Sequence, residues 1–194
     1  MSLNRRRRLL LSAGLAAPWA AALAQSNTVD VRALLREGGL VVALRHARAP
    51  GTFDPPGFRL GECATQRNLS DEGRAQARRI GAWFQAAQLK PAVVRSSPWC
   101  RCVDTATLAF GGAETWAALG SPYGSAEQTN ADHLQQLRSA LSQVTAQRGR
   151  FEVWVTHMFV LSALAQENTA SGEALLLRAG PGDTVQVLGR LAAG

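Results

Sequence analysis

The stretch that decides the fold is LVVALRHARAPG, residues 40–51, in which an apolar run leads directly into an arginine and a histidine. A short run rich in valine and leucine is typical of a strand buried on both faces of a parallel sheet. In open α/β sheets, ligands bind just beyond the carboxyl ends of such strands. Arg45 and His46 stand at such an end, although the pair also fits a strand that simply ends in a polar loop.

Strands and helices alternate along the rest of the chain. Apolar runs predict further strands at PAVVRSS, FEVWVTH, EALLLRAG and TVQVLGRL, and the segments between them carry helical patterns. One of these helices is expected to start at Pro98, with Ser97 as its N-cap. The alternation predicts an α/β fold, a three-layer α/β/α sandwich with a mostly parallel sheet. Residues 47–69 are dense in Pro and Gly and predict a long loop over the site.

Length and composition indicate one globular domain. The chain has 194 residues, 46% of them hydrophobic and 18% charged, and a formal net charge of +7. Four positive charges lie in the run RRRR at residues 5–8, and without them the net charge is +3. No basic block follows that run, and aromatic residues are not interleaved with arginines as in single-strand binding grooves. We therefore expect no nucleic-acid partner.

The first 25 residues have the pattern of a signal peptide. Arginines precede an apolar stretch at residues 9–24, which ends in the small-residue cleavage site Ala-Leu-Ala. The arginine run before LLLSAG also fits a twin-arginine signal. We expect a signal peptide at residues 1–25, a domain at 26–194 and a periplasmic or secreted mature protein without stable membrane insertion. The alternative is an uncleaved membrane anchor.

Three cysteines allow one disulfide and leave one thiol in an oxidising compartment. Cys100 and Cys102 are two residues apart and do not face each other on a helix. We expect a Cys63–Cys100 disulfide, with Cys102 packed as a small apolar residue. The spacing does not resemble a zinc site.

Histidines and arginines follow the predicted strands. His46 and His157 each come directly after an apolar run, and Arg101 opens the helix after VVRSS. Parallel strands would collect these residues with Arg45 at one sheet edge. Two imidazoles and two guanidiniums repel each other unless an anion lies among them, and the arginine fork suits a phosphoryl group. The pattern predicts a phosphate site in which a neutral imidazole attacks phosphorus to form a phosphohistidine, without a metal or cofactor.

Four motifs together, ALRHA, RNLSDEGRAQARRIG, SSPWCRCVDTA and VTHMFVLSAL, resemble the histidine phosphatase superfamily, whose best-known branch is the phosphoglycerate mutases. The resemblance covers residues 40–190 and suggests a small exported branch. It implies that His46 is the nucleophile and that Arg45 and Arg101 bind the phosphoryl group. It also implies that His157 is the second histidine of the pocket. Ser97 and Thr105 are expected to serve as cap and packing.

Two positions depart from the pattern of that family. Ala47 replaces the glycine that commonly follows the catalytic histidine, and no glutamate matches the usual proton donor to the leaving group. Asp54 in the long loop is our first substitute and Glu62 the second. The alternative for both is a loop carboxylate that is solvated or paired with an arginine such as Arg59. An enzyme without a good donor would prefer acyl phosphates, phosphohistidine or aryl phosphates.

We therefore predict a metal-independent phosphohydrolase that acts on a phosphorylated small molecule or another phosphoryl-bearing substrate. Mutase activity is disfavoured, because the chain has little spare length to hold two phosphorylated positions. A non-catalytic phosphate-binding protein of the same fold is the alternative from another functional class. A membrane-anchored phosphatase is a third, and it depends on whether the N-terminus is cleaved.

Overall fold

The apolar run at residues 40–44 forms a strand inside the sheet of the computed structural model, which describes residues 30–122 and 126–193. Within the described residues, the chain forms five α-helices and six strands. The helices are α1 (Val31–Glu37), α2 (Asp71–Ala86), α3 (Cys100–Phe110), α4 (Glu127–Thr145) and α5 (Met158–Ala165). The strands are β1 (Leu40–Arg45), β2 (Val93–Ser96), β3 (Glu114–Thr115), β4 (Phe151–Thr156), β5 (Glu173–Ala179) and β6 (Val185–Ala192). Two 3₁₀ turns lie at Cys63–Thr65 and Ala117–Leu119.

The six strands form one mixed sheet in the order β3-β2-β4-β1-β5-β6. Strands β1 to β4 pair in parallel, and β5 is antiparallel to both of its neighbours. The predicted α/β fold with a mostly parallel sheet is confirmed. Because β2, β4 and β1 are adjacent and parallel, the residues that follow them lie at one edge of the sheet.

Alternate residues of β1 pack into two separate cores, as the period of a strand requires. Val42 and Leu44 belong to the core beneath α1, α2 and α3. Val41 and Ala43 belong to the core beneath α4 and α5. The helices therefore cover both faces of the sheet, which confirms the predicted three layers.

The helix after β2 starts later than predicted. It begins at Cys100, with Trp99 in the N-cap position and no side-chain cap, so the prediction of Ser97 as cap and Pro98 as first residue is wrong. The backbone N–H of Ser97 still donates to the Val155 carbonyl at 2.9 Å, which extends the sheet hydrogen bonding by one residue. The Ser97 hydroxyl is instead engaged with His157, as described below.

The long loop after β1 is tied to the start of α3. Cys63 and Cys100 form a disulfide, as predicted, and Cys102 is a buried free thiol. The backbone N–H of Cys100 donates to the Gln66 side chain at 3.0 Å. The bonded cysteines are 37 residues apart, for which the chain-entropy model gives a stabilisation of about 4 kcal/mol. The loop and the helix that carries Arg101 are therefore held together.

The predicted signal peptide at residues 1–25 lies outside the described residues, so it stays a prediction. Among the residues that the structure describes, no helix has the length and apolar character needed to cross a membrane.

Candidate active site

A cavity of about 120 Å³ lies where β1, β2 and β4 end, and we call it the strand-end cavity. The five predicted site residues, Arg45, His46, Asp54, Arg101 and His157, all line it. The other lining residues are Gly51, Thr52, Phe53, Arg67, Ser121, Met158 and Phe159. Segments distant in sequence thus meet in one small, mostly polar site.

His46 directly follows β1 and is buried, with 2% of its surface exposed. Its backbone N–H donates to the Thr156 carbonyl at 2.9 Å, which places it beside the end of β4. Nδ1 lies 2.8 Å from the Ala47 carbonyl, which can only accept, so Nδ1 carries the proton. Nε2 therefore keeps its lone pair, as an attacking nitrogen requires.

Burial lowers the pKa of His46 to about 3. The hydrogen bond to the Ala47 carbonyl opposes this shift, and the positive charges of Arg101, Arg67 and Arg45 add to it. The imidazole is therefore neutral at physiological pH.

The backbone after His46 is held by α2 and α3. The Ala47 N–H donates to the Thr105 hydroxyl at 3.0 Å, so Thr105 anchors this turn to the helix that carries Arg101. Gly73 packs directly on the Arg48 carbonyl, which would lie 2.0 Å from a Cβ at that position. These contacts fix the position of His46 from both sides.

His157 is buried at the start of α5 and connects two other residues of the site. Nη2 of Arg101 lies 3.3 Å from its Nδ1, and the guanidinium can only donate, so Nδ1 accepts. Nε2 then carries the proton and donates to the Ser97 hydroxyl at 2.8 Å. Burial, followed by the positive charge of Arg101, places the pKa of His157 well below its usual value.

The two imidazole rings are close neighbours. The centroids of His46 and His157 are 5.5 Å apart, with an edge-to-face arrangement of the rings. Both rings are neutral, so the positive charge of the strand-end cavity comes from its arginines.

Three arginines line the strand-end cavity, and each has a buried Nε without a hydrogen-bond partner in the described part of the chain. They are Arg45, Arg67 and Arg101. Nη1 of Arg45 donates to the Thr169 carbonyl at 2.6 Å, and Nη1 of Arg67 donates to the Ala49 carbonyl at 2.6 Å. The Nη2 groups of Arg45 and Arg67 remain available to an anion, whereas Nη1 of Arg101 binds Asp54 and its Nη2 binds His157.

Arg67 is the site residue that sequence reasoning missed. It lies within RNLSDEG, directly before α2, in a segment that the family resemblance includes without assigning it a role. The sequence could have indicated Arg67 by its position in a long, Pro/Gly-rich loop just before a helix, since such loops often carry functional residues.

Asp54 lines the strand-end cavity, but both of its carboxylate oxygens already accept hydrogen bonds. Its two oxygens accept from Nη1 of Arg101 at 2.8 and 3.1 Å. It also accepts from the Arg67 backbone N–H at 3.0 Å and from the Trp99 indole at 3.2 Å. The structure thus pairs this predicted donor with an arginine of the site.

Glu62, the second candidate donor, is exposed and forms an ion pair with Arg59 at 2.6 Å. It does not line the strand-end cavity, so Asp54 is the one carboxylate among the cavity's described lining residues. Three guanidiniums against this single carboxylate leave a net positive charge, since both histidines are neutral. The site therefore favours an anion with several oxygens.

We expect stability to fall on acidification because of His46. Its pKa is about 3 in the folded chain and 6.5 in the unfolded chain, so between these values the unfolded chain binds more protons. The contribution of the neutral His46 to the free energy of unfolding is complete above pH 6.5 and is lost as the pH falls towards 3. His46 alone should give the free energy of unfolding a slope of up to about 1.4 kcal/mol per pH unit.

Urea unfolding at pH 4, 5, 6 and 7 in phosphate-free buffer measures this slope. The slope should be smaller in the His46→Asn variant. Part of the slope should remain, because the pKa of His157 is lowered as well. A wild-type unfolding free energy that does not change between pH 4 and 6.5 would contradict the prediction.

Comparison with known proteins supports these observations. Residues 42–119 match the profile of the histidine phosphatase superfamily (branch 1), a segment that contains most of β1 and all of α2, β2 and α3. It therefore includes Arg45, His46 and Arg101, whereas His157 lies outside it. No curated protein matches the chain.

The fold is shared with several solved phosphatases. The protein histidine phosphatase SixA, solved with tungstate, has a TM-score of 0.59 and 14% identity, over 78% of this chain and 96% of SixA. A mycobacterial glucosyl-3-phosphoglycerate phosphatase, solved with VO3, has a TM-score of 0.54 and 16% identity, over 76% and 96%. A mutant phosphoserine phosphatase from Entamoeba histolytica, solved with phosphoserine, has a TM-score of 0.54 and 13% identity, over 78% and 95%.

Proposed function

We propose that this chain is a metal-independent phosphohydrolase of the histidine phosphatase superfamily that acts through a covalent phosphohistidine at His46. One observation carries the proposal: a buried, neutral His46 shares a small cavity with three arginines whose Nε donors have no partner in the described chain. A phosphoryl group would supply the missing acceptors. The superfamily match of residues 42–119 supports the same reaction.

In the first step, Nε2 of His46 attacks phosphorus in line with the leaving group. The bond from phosphorus to the leaving oxygen breaks, the electron pair stays on that oxygen, and the oxygen takes up a proton. Water then attacks the phosphohistidine, the P–N bond breaks, and orthophosphate leaves a neutral His46. Arg45, Arg67 and Arg101 stabilise the charge on the three remaining phosphoryl oxygens in both steps.

His157 is proposed as the second catalytic histidine. Its Nδ1 accepts from Arg101 and its Nε2–H donates to Ser97, so it holds the guanidinium against the phosphoryl position. A phosphoryl group that binds Arg101 would also lie close to the His157 ring, because Arg101 and His157 line the same cavity.

Asp54 is proposed as the proton donor to the leaving group, because it is the one carboxylate among the described residues of the strand-end cavity. A phosphoryl group that binds Arg101 competes with Asp54 for this guanidinium and so releases the carboxylate, which takes up a proton from solvent and then gives it to the leaving oxygen. Asp54→Asn should then slow hydrolysis of an alkyl phosphate such as glycerol 3-phosphate at least about tenfold more than hydrolysis of p-nitrophenyl phosphate. The reason is that the nitrophenolate needs little protonation.

Steady-state kinetics on both substrates measure this difference. Glu62→Gln is the matched control, since Glu62 is an exposed loop carboxylate paired with Arg59, and it should leave both rates unchanged. Equal losses on the two substrates in Asp54→Asn would mean that Asp54 only positions Arg101.

The reaction is tested by p-nitrophenyl phosphate hydrolysis in the presence of EDTA, combined with trapping of the intermediate. Rapid quenching in base after mixing with a ³²P-labelled acyl phosphate should leave label on the protein, and acid should release it. Orthophosphate binding without turnover or label would instead favour the non-catalytic phosphate-binding protein. The engagement of Asp54 by Arg101 is the observation that favours this second candidate.

We also propose that the mature enzyme begins after residue 25 and works in the periplasm or outside the cell. The signal-like pattern of residues 1–25 supports this, and so does the Cys63–Cys100 disulfide, because disulfides persist mainly in oxidising compartments. Mass spectrometry of the protein expressed with its full N-terminus tests the cleavage. An intact residue 1 would contradict it and favour the membrane-anchored form.

A further inference from the structure

Resting on the phosphohydrolase proposed above, we infer that the mouth of the strand-end cavity selects phosphomonoesters whose leaving group is an apolar ring. Phe53 and Phe159 are the residues that would make this selection.

The strand-end cavity is too small to enclose a whole substrate. Its volume is about 120 Å³, whereas pockets that bury drug-sized ligands have volumes of roughly 300–1,000 Å³. The arginines and His46 would bind the phosphoryl group at the polar end of the cavity. The leaving group must therefore lie at the mouth, where residues outside the phosphate site contact it.

The mouth carries exposed aromatic side chains. Among the described residues, three large hydrophobic side chains are exposed: Phe53 at 54%, Leu60 at 50% and Phe159 at 38%. Two of the three, Phe53 and Phe159, line the strand-end cavity, and Leu60 does not. An exposed apolar surface beside a polar pocket is typical of a ligand contact.

Phe53 and Phe159 come from different parts of the fold. Phe53 lies on the loop that the Cys63–Cys100 disulfide ties to α3, and Phe159 lies in the first turn of α5. Met158, next to Phe159, also lines the strand-end cavity, and its thioether favours contact with aromatic rings. A planar ring at the mouth would therefore meet apolar side chains from two elements.

Few polar groups remain for a polar leaving group such as a sugar. Among the described lining residues, the charged ones are the three arginines, which would bind the phosphoryl oxygens, and Asp54, which would protonate the leaving oxygen itself. The neutral hydroxyls are those of Thr52 and Ser121, and Ser121 is buried. The mouth thus offers an aromatic ring more favourable contacts than it offers a polyol.

Phosphonates test this selection without the chemistry of a leaving group. Inhibition of acetyl phosphate hydrolysis gives a Ki for phenylphosphonate and a Ki for methylphosphonate, which share the anion and differ in the ring. We expect phenylphosphonate to bind roughly tenfold more tightly. Phe53→Ala and Phe159→Ala should each reduce this ratio several-fold, and the double variant should bring it close to one.

Leu60→Ala is the matched control, because it removes an equally exposed apolar side chain from the same loop outside the strand-end cavity. It should keep the wild-type ratio. Equal Ki values for the two phosphonates in the wild type, with acetyl phosphate still hydrolysed, would overturn this inference and leave the phosphohydrolase intact. Absence of both turnover and inhibition would instead contradict the proposed function.

Discussion

His46→Ala should lower kcat for p-nitrophenyl phosphate by at least about 10³-fold, the largest effect of any single substitution that we expect. The variant lacks the nitrogen that forms the bond to phosphorus, and such losses are typical when a covalent nucleophile is removed. The wild-type ring is neutral because its pKa is about 3, so its nucleophilic form is already present at pH 7. Orthophosphate binding should persist in the variant, because the three arginines remain.

Steady-state rates measured in EDTA, with thermal unfolding to check the fold, provide the measurement. His133→Ala is the matched control, since His133 lies on α4 and does not line the strand-end cavity. It should retain wild-type turnover. A folded His46→Ala variant with the wild-type rate would show that the activity has another source or that another residue is the nucleophile.

Arg101→Met should reduce both the affinity for phosphate and the free energy of unfolding. Arg101 is 3% exposed and is paired with a nearly buried Asp54, so its loss leaves an unpaired carboxylate in a low-dielectric site. Removing one partner of a buried pair costs about 3–5 kcal/mol of unfolding free energy. Losing a preorganised donor to the phosphoryl oxygens should lower kcat/KM by roughly 10²- to 10³-fold.

The double variant Arg101→Met with Asp54→Asn separates these two effects. It neutralises the carboxylate, so urea unfolding should show that most of the lost stability returns. Its kcat/KM should remain low, because the guanidinium is still missing. Recovery of activity together with stability would contradict a direct role for Arg101 in phosphate binding.

The sequence alone determined the layers of the fold and the place of the site. Apolar runs at residues 40–44 and 151–156 form parallel strands, and so the residues after them, His46 and His157, lie at one sheet edge. This prediction succeeded because burial on both faces produces a continuous apolar pattern that is local in sequence. Helix geometry also excluded the Cys100–Cys102 pair, and the structure decided between the two pairings that remained, in favour of Cys63–Cys100.

Only the tertiary structure decided which polar side chains of the site bind one another. Asp54 pairs with Arg101 across 47 residues, Ser97 binds His157 instead of capping α3, and Arg67 joins the strand-end cavity from the long loop. Each contact is between segments that have no common sequence pattern. Which polar groups meet is set by how the loop, α3 and the strand ends pack together, because a buried polar side chain takes whichever partner that packing brings within hydrogen-bonding distance.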